Sequence, residues 1–310
     1  METPHTLQQA IIFFSDADRC FEYAKELRWA DGVIACPRCG SDKNSFVKTR
    51  RLWLCKGCKK QFTVKVGTVM EDSPIGLDKW MAAMWMLANC KNGVSSYEIH
   101  RNLGVTQKTA WFLLHRIRTA MTDETGKIGG NGAPVEIDET FVGGKVINMH
   151  KHKRVESNAK GGNKAVVFGM LERGGRVKAR VIADRKRQQI EPAMTDGINH
   201  GADIITDEFS TYHFTSDAYN REIVNHAVEY VNGHVHTNGI ENFWSLLKRG
   251  LKGTYISVEP FHLDAYVAEQ VFRYNNRKDS DDSTRFQSVM SSVAGKRLTY
   301  GELTGARLPH

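Results

Sequence analysis

The sequence predicts a chain of several modules ending in a mixed α/β domain, and three observations carry that expectation. Residues 33–66 are rich in Cys, Gly and Lys, apolar residues recur at helical spacing from Leu77 to Met121, and after the glycine-rich stretch GKIGGNGAP (126–134) strand-like runs alternate with helical ones. At 310 residues the chain exceeds one ordinary domain. These shifts divide it into residues 1–70 (a helix and the cysteine module), 71–126 (a helical module), 127–278 (the α/β module) and 279–310 (a tail). Apolar residues at 41% and charged residues at 25% exclude a wholly disordered or collagen-like chain. Lys and Arg total 43 against 35 acids, a net charge of +8 that suits a polyanionic partner.

Residues 7–29 read as one helix with a broken apolar face. FVKTRRLWLC and KQFTV read as short strands, and the helical stretch 77–121 breaks at Asn92-Gly93 and at Gly104. GKIGGNGAP reads as a linker. Beyond it VEIDETFV, KAVVFGMLE, RVKARVIA, ADIITD and REIVNHAVEY read as strands. KRQQIEPAMTDGI reads as helical with Pro192 near its first turn, and GIENFWSLLKRG and PFHLDAYVAEQVFRYNNR as helices with an apolar stripe. The tail opens with DSDDS and holds one weakly helical stretch. The N-terminus lacks a basic n-region, and Trp80 to Cys90 is too short to cross a bilayer. The expectation is a cytoplasmic protein without membrane association.

Cys36, Cys39, Cys55 and Cys58 form C-x2-C-x15-C-x2-C, the spacing of a structural Zn2+ site in which protein fills all four positions. Gly40 and Gly57 are expected to supply the permissive backbone of the two turns. Cys20 and Cys90 fall on apolar faces and read as buried thiols. Nine basic residues from Arg38 to Lys65, among them Lys59 and Lys60, face Asp42 alone, which favours phosphate contact.

SSYEIHRNLGVTQKTAWFLLHRIR reads as a helix-turn-helix with Gly104 at the turn and Thr106 capping the second helix. Ile99, Leu103, Val105, Ala110 and Leu113 fall at its core positions. Gln107, Lys108 and Thr109 are then expected to face the major groove of double-stranded DNA, and His115, Arg116 and Arg118 its backbone. His100 occupies a position before the turn that usually takes a small residue.

Three acids stand out in the α/β module: Asp138 inside an apolar strand, Asp207 at the end of another, and Glu241 at the start of a helix. Two strand acids and one helix acid are how an RNase H-like fold gathers carboxylates for divalent cations of the Mg2+ type. Ser245 and Lys248 share a helix face with Glu241, placing an ammonium two turns beyond the carboxylate. Glu136, Glu139 and Glu208 remain open alternatives on residue pattern alone, and Trp244 reads either as core or as a base-stacking residue. His234 and His236 read as loop imidazoles, and His150 to Arg154 as a basic loop that can touch a DNA backbone.

The ordered run of zinc ribbon, helix-turn-helix, EIDETFVGGK, TDEFSTYH, HTNGIENFWSLLKRG and FRYNNR resembles bacterial insertion-sequence transposases of the DDE class with an ISXO-two-like domain, over roughly residues 15–278. The resemblance implies an RNase H-like core using Mg2+ or Mn2+, with Asp138, Asp207 and Glu241 as the metal-binding acids and Lys248 as the basic residue that follows the third acid. It further implies binding to element ends and target DNA, as a homo-oligomer on the bacterial nucleoid, with cleavage and strand transfer by in-line displacement. The rival reading is a zinc-ribbon and helix-turn-helix DNA-binding regulator with a non-catalytic C-terminal domain.

Overall fold

The computed structural model describes residues 3–122, 125–144, 164–224, 236–278 and 280–305. It is mixed α/β and divides into two compact units, residues 1–122 with 276–310, and residues 123–275. Among the described residues no helix is long and apolar enough to cross a membrane.

In the first unit the stretch expected as one helix is two, α1 (Leu7–Phe14) and α2 (Ala17–Arg28). Asp16 breaks it, because its carboxylate accepts the N–H groups of Asp18 and Arg19 and caps a new helix. A three-stranded antiparallel sheet follows, β1 (Asn44–Val47), β2 (Leu52–Cys55) and β3 (Gln61–Phe62). Trp53 of β2 fastens it to α2, stacking on Phe21 at 5.7 Å and on Phe62 at 5.6 Å, with Trp29 edge-on at 5.2 Å.

Helix α3 (Leu77–Asn89) is the axis of this unit and buries Trp80, Met81, Met84, Trp85 and Leu87. Helices α4 (Ser96–Leu103) and α5 (Gln107–Ala120) follow it. The tail supplies α9 (Asp282–Ser291) and α10 (Tyr300–Thr304) to the same unit. Phe286 of α9, fully buried, contacts Phe14 at 5.3 Å, Trp85 at 5.6 Å and Tyr23 at 5.9 Å. Apolar burial of that kind, rather than helix propensity, is what holds so short a helix.

The second unit is a five-stranded sheet of β4 (Val135–Val142), β5 (Ala165–Glu172), β6 (Val177–Ile182), β7 (Asp203–Thr206) and β8 (Asn220–Ile223), in the spatial order β6-β5-β4-β7-β8. The first three strands pair antiparallel, while β4–β7 and β7–β8 are parallel. Alternation along the strands feeds two cores. Val135, Ile137, Phe168 and Met170 pack with Ile190 and Met194 of α6 (Arg187–Gly197). Val167 and Leu171 pack with α7 (Asn238–Gly250) and α8 (Leu263–Asn275). Pro192 lies in the middle of α6 and not near its first turn; the carbonyl it leaves without a helical partner belongs to the exposed Gln188.

The outer edge of β6 is closed by α8. The side-chain amide of Asn275 exchanges two hydrogen bonds with the backbone of Val177, at 2.8 and 2.9 Å, and Asp264 accepts the N–H of Val181 at 3.0 Å. The glycine-rich stretch 126–134 is held against the sheet rather than hanging as a linker. Ile128 is buried and bridges Ile198, and Gly129, at φ +81°, donates to Glu172 at 3.0 Å. A Cβ on Gly129 would come within 2.9 Å of Ala202.

Candidate active site

The zinc site assembles from two matching turns. In the first, the N–H of Gly40 donates to the carbonyl of Cys36 at 2.8 Å, and in the second that of Lys59 donates to Cys55 at 3.0 Å. Gly40 takes the left-handed conformation, φ +75°, as expected, but its counterpart in the second turn is Lys59 at φ +61°, not Gly57. Gly57 serves closeness instead, because a Cβ there would press on Ser41 at 3.1 Å. The four sulfurs lie within 4.8 Å of one another, with Cys36–Cys58 at 3.8 Å and Cys39–Cys55 at 3.6 Å. Zn–S bonds of about 2.3 Å in a tetrahedron require edges of roughly 3.8 Å. The donor set therefore fits a structural Zn2+.

Of the ribbon's basic residues Lys59 and Lys60 are exposed, whereas Lys65 is turned inward and donates to the carbonyls of Ser73 and Ile75. Helix α5 starts at the Thr106 cap, after Gly104 at φ +59° ends α4. His100 accounts for its place before that turn by bonding the Val105 carbonyl across it. Lys108 is exposed with its ammonium 4.8 Å from the Tyr300 ring, Gln107 donates to Ser96 at 2.9 Å, and Thr109 is engaged with the Thr106 cap. The expectation that Arg116 and Arg118 face a DNA backbone is corrected by their burial, at 4% and 1% exposure, and His115 is buried likewise. Arg116 donates to the Glu71 carbonyl and lies over the Trp80 ring at 5.3 Å. Helical periodicity marks these residues as following the turn, but only packing shows that their face of α5 is the inner one.

In the second unit the register Val135↔Ile204 and Glu136↔Ile205 sets an offset that, carried forward, matches Asp207, just past the end of β7, to Asp138 in the middle of β4. Asp138 and Glu136 share the face toward α7, which carries Glu241 in its first turn. One oxygen of each of the three acids is held by a donor. Trp244 Nε1 donates to Asp138 Oδ2 at 2.9 Å, the N–H of Phe209 to Asp207 Oδ1 at 3.0 Å, and the hydroxyl of Thr237 to Glu241 Oε1 at 3.0 Å. Burial, and then the charges of Asp207 and Glu241, push Asp138 up to about 6, against the pull of the Trp244 bond. Among the described residues only the ribbon cysteines bring three or more potential ligands within 4.8 Å of one another, so Asp138, Asp207 and Glu241 do not converge to that spacing in this structure. Lys248 is half-buried, two turns along α7 from Glu241.

The neighbouring acids are placed differently. Glu136 is 1% exposed and accepts Arg173 Nε at 3.0 Å and the backbone N–H of Ile240 at 2.9 Å, with His236 at 3.6 Å. Glu139 accepts the hydroxyl of the buried Tyr212, and burial pushes it up to about 7. Glu208 is exposed. Trp244 neither sits in a purely apolar core nor lies free to stack on a base. Sequence reasoning missed its bond to Asp138, and the glycine at 169 opposite Asp138 is the signal that points to it. His150, Lys151, His152, Lys153, Arg154 and His234 lie outside the described residues.

One unit thus carries a four-cysteine ribbon and the other a mixed sheet bearing Asp138, and comparison with known proteins gives the class of chain they belong to. The chain matches the transposase zinc-ribbon domain over residues 15–61 and the ISXO2-like transposase domain over residues 129–275. It is 27% identical over 253 residues to an uncharacterized protein in transposable element ISH50 of Halobacterium salinarum, covering 77% of this chain and 84% of that one. No solved structure matches it. The matches show a transposase zinc-ribbon domain followed by an ISXO2-like transposase domain in this chain.

Proposed function

We propose that this chain is a transposase that binds the ends of its element and carries out metal-dependent DNA cleavage and strand transfer, with Asp138, Asp207 and Glu241 as the metal-binding acids. The observation that carries the reading is the parallel pairing of β4 with β7, whose register directs Asp207 toward Asp138, together with the bond from Trp244, on the helix that bears Glu241, to Asp138. The strand order β6-β5-β4-β7-β8, three antiparallel strands followed by two parallel ones, supports an RNase H-like core.

Mg2+ or Mn2+ at such an all-oxygen set supplies charge neutralisation at the phosphorus and a lowered pKa for the attacking hydroxyl. The chain's own residues orient the parts. Trp244, the Phe209 N–H and Thr237 fix one oxygen of each acid, and Lys248 offers its ammonium to the phosphate. Water is the nucleophile at the element end, and the 3′ hydroxyl it frees attacks target DNA. A tyrosine route is disfavoured because the Tyr212 hydroxyl is buried and committed to Glu139.

The helix pair α4–α5 acts as a helix-turn-helix, with Gln107, Lys108 and Thr109 at the start of its second helix toward the major groove and Lys59 and Lys60 on phosphates. The protein works as a homo-oligomer on double-stranded DNA, at the nucleoid. The test is incubation with DNA carrying candidate element ends, with Mg2+ or with chelator, scored for cleavage and joining. Alanine at Asp138, Asp207 or Glu241 is expected to abolish both products while end binding persists. Joining at normal rates by Asp138→Ala would sink the assignment.

A further inference from the structure

We infer that Trp244 is a positioning residue that fixes the orientation of Asp138 and its placement relative to Glu241, with Gly169 as its seat. The inference rests on the metal-site reading above and adds to it a residue that binds no metal itself.

Trp244 follows Glu241 by three residues on α7, so the two lie about one turn apart on neighbouring sides of the helix. Its ring is 4% exposed, and its N–H reaches Asp138 Oδ2 at 2.9 Å across 106 residues of chain. An indole N–H only donates. The bond therefore holds one named oxygen of the carboxylate as acceptor and stops the carboxylate from rotating freely. The donors on the other two acids are local, Phe209 two residues from Asp207 and Thr237 four from Glu241. The Trp244 bond thus ties the first acid itself, and not only its strand, to the helix of the third.

Gly169 shows that this placement is built into the sheet. It is the residue paired with Asp138 across β4 and β5. A Cβ there would lie 2.5 Å from Trp244 Cη2, 2.7 Å from Cζ2 and 3.0 Å from Ile240. Glycine weakens a strand interior, and its presence marks a close approach by another group. Here that group is the indole, whose Cη2 and Cζ2 come against Gly169 while its N–H is directed at the neighbouring acid. Core filling alone would need the ring but not that direction.

The test is Mn2+ binding to the full-length protein, followed by electron paramagnetic resonance of the free ion. Trp244→Phe keeps a ring over Gly169 and removes the N–H. It is expected to weaken Mn2+ binding roughly tenfold or more, the usual scale for losing a residue that orients a ligand. Gly169→Ala, which displaces the indole, should weaken it in the same direction. Ile190→Ala removes apolar volume from the other core of the same unit, which does not include Trp244, and should destabilise the unit while leaving the affinity unchanged. Unchanged Mn2+ affinity in Trp244→Phe, with binding still lost in Asp138→Ala, overturns the positioning role and leaves the metal reading standing. Equal losses in Trp244→Phe and Ile190→Ala would also overturn it, by showing a general structural effect. Mn2+ binding that survives Asp138→Ala overturns the metal reading and this inference together.

Discussion

The carboxylate of Glu136 accepts the backbone N–H of Ile240 at 2.9 Å, joining β4 two residues before Asp138 to α7 one residue before Glu241. Gly239 lets the helix come that close, since a Cβ there would meet Glu136 Oε2 at 2.7 Å. The acid satisfies an N–H that the first turn of a helix cannot satisfy itself, and its charge complements the helix terminus. Arg173 balances it from the other side at 3.0 Å.

Removing Glu136 leaves Arg173 and the helix end without their shared partner. Glu136→Ala is expected to destabilise the second unit by about 1–3 kcal/mol, the usual cost of leaving buried hydrogen-bond donors without their acceptor. Urea denaturation of the full chain measures it, and a loss below about 1 kcal/mol would show that the pair contributes little.

Asp138 and Glu139 are raised to about 6 and about 7. Between the ordinary carboxylate value near 4 and about 7 the folded chain holds protons that the unfolded chain has released, so stability without metal falls as pH rises through that window. Asp138→Asn removes one such group. It is expected to raise the melting temperature at pH 8 by about 2–4 °C for each kcal/mol recovered, and to change little at pH 4. A scan showing no difference between the two pH values would remove this account of the site.

The ribbon cysteines should hold about one zinc per chain by metal analysis. Cys55→Ser takes a sulfur from the end of β2 and should release the metal and unfold the ribbon, because zinc binding and folding of such small modules are one equilibrium. Full zinc content in that variant would argue against the four-cysteine site.

DNA binding should weaken steeply as salt is raised. Lys59→Ala or Lys60→Ala, at exposed ribbon positions, should weaken binding to all sequences alike and make it less sensitive to salt. Lys108→Ala, at the start of α5, should reduce the preference for element ends over random DNA. Competition binding at two salt concentrations separates the outcomes, and a preference untouched by Lys108→Ala would move base reading elsewhere.

Phe286 is fully buried among Phe14, Tyr23 and Trp85. Phe286→Ala should therefore cost the first unit about 3–5 kcal/mol. Thermal melting of the full chain reads it, and a shift within error would show that the tail helix is dispensable.

The residues that the sequence by itself made legible are those whose signal is local. The two C-x2-C pairs spell out a zinc site because each turn needs only six consecutive residues, and VEIDETFV forms a strand over the whole predicted span, Val135–Val142. The turn at Gly104 with its Thr106 cap was legible for the same reason. What the tertiary structure alone decided depends on which face of an element meets another. Arg116 and Arg118 carry charge that reads as surface, yet their face of α5 is the buried one. Asp16 splits one apolar pattern into two helices because a cap formed with two neighbouring backbone N–H groups outweighs continuity of the stripe. Trp244 sits on an amphipathic helix with no mark of its partner, since the bond to Asp138 exists only once the helix lies across the sheet. Periodicity records that a side chain is turned inward; the residue it meets there is set by strand register and helix docking, which act between positions a hundred residues apart.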